Sequence, residues 1–153
     1  MFIKGKHTPT DSIIRLIESV FYREKELRKA VHDARLDADT GHSRLGRHGG
    51  KGFISDPTAI QAMRNMKEIP EVTLSDGFTV SYPERWLKVV DGTYSTLDDI
   101  SKTLLQSRYT SHRTHLQCCA DLHISHSTFY KLINEARSFA RAAACQLGLI
   151  KVM

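Results

Sequence analysis

The segment Leu116–Ile133, LQCCADLHISHSTFYKLI, restricts the fold of this chain more than any other stretch. A small residue, Cys119, stands where two crossing helices need room, and Leu122 precedes a turn. His123 occupies the turn position that must tolerate a positive φ, and Ile124 follows it. Ser125 is suited to cap a second helix, which Phe129 and Leu132 press onto the first. This order of residue types predicts a helix-turn-helix over about residues 112–137. The turn position usually holds glycine; histidine is among the other residues that adopt the left-handed conformation at modest cost.

With Phe129, Leu132 and Ala136 facing inward, the opposite face of the second helix carries His126, Ser127, Tyr130, Lys131, Asn134 and Arg137. These are hydrogen-bonding and cationic groups, the chemistry that groove readout and phosphate contact require. The expectation is a recognition helix over about 126–137 lying in the major groove of double-stranded DNA. Ser125, His126, Ser127, Tyr130, Lys131 and Asn134 are expected near bases, Thr128 in the same interface, and Arg108, Arg113 and Arg137 nearer phosphates. Charge distribution agrees: Lys and Arg outnumber Asp and Glu by six to two over residues 108–153, and are outnumbered three to six over residues 70–107. The whole chain of 153 residues carries a formal charge of +5, which suits a polyanionic partner.

The same segment is dense in potential zinc ligands: His112, His115, Cys118, Cys119, His123 and His126. His115 and Cys119 share a helical face. Packing of the two helices wants Cys119 buried and His126 exposed, so no metal and no other cofactor is expected. The three cysteines, an odd number with two adjacent, do not form a disulfide framework and fit a reducing cytosol. No apolar run reaches the roughly 18 residues of a membrane span, which predicts a cytoplasmic protein without membrane contact.

Upstream, Ile13, Ile17, Val20, Leu27, Val31, Ala34 and Ala38 recur at alternating spacings of four and three, with Glu24 as the polar break. The spacing predicts a helix from Thr10 to Asp39, and it is also that of a coiled-coil seam. Residues 13–38 therefore either serve a homodimer or pack on their own chain. Residues 41–52, GHSRLGRHGGKG, hold five glycines and three basic residues and read as a linker. Gly46 to Lys51 has the wrong spacing for a phosphate-binding loop. Ser55-Asp56-Pro57-Thr58 predicts a helix from Pro57 to about Lys67.

Val72–Ser75 and Phe78–Ser81 flank Asp76-Gly77, which predicts a β-hairpin with a tight turn. After Pro83 a broad apolar face returns, with a break allowed near Gly92. The second helix of the helix-turn-helix continues through Phe139, Ala140, Ala143 and Leu147 to a stop at Gly148. Ala142-Ala143-Ala144 forms either a core contact or a dimer face. The predicted architecture is mainly α: an N-terminal long helix or arm (1–41), a glycine-rich basic linker (42–54), and a helical domain (55–153). That domain holds a small β-hairpin near 72–81 and the C-terminal helix-turn-helix. Paired carboxylates in a glycine-bounded site, nucleophile motifs and nucleotide loops are all missing from the sequence, and adjacent Asp98 and Asp99 diverge on a helix, so no enzyme is expected.

Several landmarks together resemble the RinA/ArpU-type regulators of late transcription in bacteriophages and prophages: SDPTA at Ser55–Ala59, PERWLKVV at Pro83–Val90, RYT at Arg108–Thr110, ISHSTFY at Ile124–Tyr130 and LGLI at Leu147–Ile150. The resemblance covers roughly residues 55–150. It implies a sigma-factor-like C-terminal part and an activator of phage late genes, with RNA polymerase as a further partner. Two other readings stay open: a DNA-packaging adaptor of the small-terminase kind, and a module that binds RNA polymerase and barely touches DNA.

Overall fold

The computed structural model describes residues 9–40 and 67–151. The linker expected at 42–54 and the helix expected from Pro57 lie outside the described residues. Among the described residues the chain is mainly helical, with one two-stranded antiparallel sheet. No helix among them is long and apolar enough to cross a membrane. The chain divides into two compact units, one running to Lys25 and resuming at Arg85, the other spanning Glu26–Glu84.

In the first unit, α1 (Pro9–Tyr22) buries Ile17, Val20 and Phe21. The helix expected to run unbroken to Asp39 is interrupted at Arg23. There the Arg23 amide is shared between the carbonyls of Ser19 and Val20, and α2 (Glu24–Thr40) begins afresh. Three members of the predicted seam, Ile17, Val20 and Leu27, are buried within their own chain. Residues 9–25 thus belong to the same compact unit as the C-terminal helices.

Pro83, whose fixed φ and missing N–H suit a first helical position, opens α3 (Pro83–Thr96). Trp86, Val89, Val90 and Thr93 are buried on one face. The helix passes through Gly92 without the break allowed there. Glycine costs a helix about 1 kcal/mol, less than the roughly 1.5–3 kcal/mol gained from each large apolar side chain buried around it. The break falls instead at Leu97-Asp98, where Asp98 Oδ1 accepts the Ser101 amide at 2.9 Å and caps α4 (Asp99–Leu105). Hydrogen bonds from Ser101 hold the Asp98 carboxyl below its ordinary pKa.

A wide turn, Gln106–Thr110, follows, closed by the Ser111 amide on the Gln106 carbonyl at 3.0 Å. It buries Tyr109 against Phe21 and Tyr22. Then come α5 (His115–Leu122) and α6 (His126–Gln146), and α6 packs on α1, α4 and α5. Gly148, at φ 71°, ends α6 as expected: its amide returns to the Cys145 carbonyl, and that of Leu149 to Ala144.

In the second unit, β1 (Glu71–Thr73) pairs with β2 (Thr79–Ser81) in the register Glu71–Ser81, Val72–Val80, Thr73–Thr79. The turn is not the two-residue Asp76-Gly77 turn expected. Leu74 pairs with Phe78 around a three-residue loop, Ser75-Asp76-Gly77, with Gly77 left-handed at φ 83°. The shift has a physical cause. A two-residue loop would place Val80 opposite Thr73, whereas the observed register brings Val72, Leu74, Phe78 and Val80 to one face. Three of these are buried: Val72, Leu74 and Val80. Glu26 accepts the Ser75 amide at 2.8 Å, and Arg35 pairs with Glu84 at 2.6 Å.

Candidate nucleic-acid interface

The two C-terminal helices are each fixed at their starts by a side-chain cap. Thr114 Oγ1 accepts the Gln117 amide at 3.2 Å, while Gln117 Oε1 accepts the Thr114 amide at 3.0 Å. This reciprocal cap starts α5. At the other end His123 adopts φ 53°, ψ 44°, the left-handed cap that the sequence requires of this position. The Ile124 amide returns to the Cys119 carbonyl at 3.1 Å, and Ser125 Oγ then accepts the Thr128 amide at 3.2 Å to start α6. Residues 123–125 are therefore the entire connection between α5 and α6.

The buried stripe of α6 is Phe129, Ile133, Ala136, Ala140 and Ala144. It differs from the expected stripe, because Leu132 is only half-buried and Phe139 is 46% exposed. Helix geometry accounts for this. At about 100° per residue the five buried positions fall within an arc of about 80°, with Leu132 and Phe139 about 40° and 60° beyond one edge. Arg137 lies about 20° beyond the other edge.

The opposite side of α6 exposes Ser127, Tyr130, Lys131 and Asn134, with His126 and the capping Ser125 exposed at the helix start and Thr128 half-buried. Glu135 and Ser138 are also exposed beside them, positions the sequence reading did not single out. Tyr130 packs edge-on against Phe129 at 5.4 Å and near His115 at 5.0 Å, which restrains its ring. His115 Nε2 and His126 Nδ1 are 2.7 Å apart, so the start of α6 is hydrogen-bonded to the start of α5.

The three arginines expected near phosphates all have acceptors within the chain. Arg108 donates to the Arg113 carbonyl at 3.0 Å and lies 5.9 Å from the centre of the Tyr22 ring. Arg113 pairs with Asp121 at 2.6 Å, both side chains being well exposed. Arg137 bonds Glu18 of α1 and donates to Asn134 Oδ1 at 3.2 Å. Glu18 Oε1 also accepts the Tyr109 hydroxyl at 3.1 Å. Burial works against the Arg137 charge, but the hydrogen bond and charge of Glu18 outweigh it and raise the guanidinium pKa. Burial, and next the Glu18 charge, push the Tyr109 phenol well above its ordinary pKa, which keeps it a donor.

Sequence reasoning did not find Glu18, for nothing in a helical apolar pattern marks one glutamate as a long-range partner. It also missed the reciprocal cap, although its signal, Thr114-x-x-Gln117 at the start of a helical stretch, stands in the sequence. Comparison of the chain with protein-family models, with curated proteins and with solved structures finds no match.

Proposed function

We propose that this chain is a sequence-specific double-stranded DNA-binding transcription regulator that lays the first turns of α6 along the major groove. One observation carries the reading: Ser127, Tyr130, Lys131 and Asn134 are exposed on α6 on the side away from its buried stripe, directly after a three-residue connection. A helix about 10–12 Å across matches a major groove about 12 Å wide. Asn134 suits an adenine edge, Lys131 a guanine edge, and Tyr130 the thymine methyl or a phosphate. First amides of a helix have no intrahelical acceptor, so those of His126 and Ser127 favour a phosphate at the tip.

Phosphate contact then falls to groups that part cheaply from their present partners. The Arg113–Asp121 pair is well exposed, and such pairs contribute only about 0–1 kcal/mol. Arg137 instead holds α6 against α1. The resemblance to late-transcription regulators of bacteriophages and prophages extends the proposal to an activator that also touches RNA polymerase.

A second reading, a protein-docking module for RNA polymerase, is favoured by the internal acceptors of Arg108, Arg113 and Arg137 and by exposed Tyr130 and Phe139. Selection of bound fragments from a genomic library separates the two. A sequence consensus whose affinity falls steeply with salt supports duplex recognition; weak, salt-insensitive retention without a consensus supports protein docking.

A further inference from the structure

We propose that His115, Cys119 and His126 form a binding site for a divalent transition ion of the zinc type. His115 is the first residue of α5 and Cys119 stands one turn later on the same face; His126 is the first residue of α6. The short connection brings the start of the second helix over the first turn of the preceding one. As a result one ligand atom from each residue lies within 4.8 Å of the others. The two imidazole nitrogens are 2.7 Å apart. Among the described residues this is the one such convergence of histidine, cysteine and carboxylate groups.

Tetrahedral zinc, with bonds of about 2.0 Å to nitrogen and 2.3 Å to sulfur, holds its donors roughly 3.3–3.5 Å apart. The imidazoles need part by only about half an ångström, and the thiol must turn toward them, movements within the reach of side-chain rotation. Two nitrogens and one sulfur are a borderline-soft donor set, which selects zinc or cobalt over magnesium or calcium. The positive ends of two helices disfavour a cation there, and the Cys119 thiolate offsets part of that charge. His126 is exposed and Cys119 buried, so the ion enters from the His126 side and keeps a water in its fourth position.

Proton accounting is simple. With both rings neutral, one donates its N–H to the other across the 2.7 Å contact. On metal binding that ring moves its proton to its other nitrogen, the Cys119 thiol releases its proton to solvent, and all three ligand atoms offer lone pairs.

The test uses the full chain stripped with chelator and titrated with cobalt(II) alone, so it is independent of DNA. One equivalent is expected to give the visible bands of tetrahedral cobalt and a near-ultraviolet thiolate-to-cobalt band, both abolished by zinc. His126→Ala, at an exposed position, is expected to keep its helical circular dichroism while weakening cobalt binding. The loss should exceed the roughly 10–100-fold caused by removing an outer-shell partner. Cys119→Ser should lose the thiolate band and Cys145→Ser should keep it. Absence of the tetrahedral bands, or unchanged affinity in His126→Ala, would overturn the proposal.

Discussion

Arg137 of α6 donates a charge-assisted hydrogen bond to Glu18 of α1, and the same carboxylate oxygen accepts the Tyr109 hydroxyl at 3.1 Å. One carboxylate thereby joins α1, the wide turn and α6, and sets how α6 is presented. Glu18→Ala is expected to destabilise the fold by about 1–3 kcal/mol, since it strands a largely buried guanidinium and phenol. Urea unfolding midpoints check this. Arg113→Ala, which breaks the exposed pair with Asp121, should cost no more than about 1 kcal/mol in the same experiment.

At the connection, His123 is left-handed at φ 53° and exposed. His123→Gly removes the strain of a side chain there and is expected to raise stability by about 0.5–1 kcal/mol, after allowing for the looser unfolded chain. Ser125→Ala removes the cap on Thr128 and should lower stability by about 1 kcal/mol. Thermal unfolding of the two variants should therefore move in opposite directions.

Alkaline pH gives a third check. Burial, and next the Glu24 charge, push the Tyr94 phenol up from 10.0 to about 12. A folded-state value above the unfolded one means that the native state holds its proton more tightly. The corresponding stability is fully present below pH 10 and is lost as pH rises toward about 12. Unfolding free energy should fall across that window, and Tyr94→Phe should flatten the fall.

Much of the fold was legible because it follows from local rules. Pro83 opening a helix, Gly148 closing one, and Ser125 capping another each depend on a few neighbouring residues. What escaped depended on distant partners. Asp76-Gly77 suits a two-residue turn by itself, but the alternation of Val72, Leu74, Phe78 and Val80 favours a loop one residue longer. On α6 the choice of Ile133 over Leu132 depends on which face α1, α4 and α5 cover. The exposure of Lys131 and Asn134 followed from periodicity; the engagement of Arg137 by Glu18 could not, the two standing 119 positions apart in the chain.

The most direct measurement of duplex recognition is the affinity of a Lys131→Ala, Asn134→Ala double variant for a genomic fragment selected by the parent chain, compared with an unrelated duplex. Both residues are exposed, so the variant should keep its helical content and unfolding midpoint. Expected is a loss of about 2–6 kcal/mol on the selected fragment, the sum of two base contacts, with little change on the unrelated duplex. Equal affinity of parent and double variant for the selected fragment would contradict the assignment of α6 to the groove.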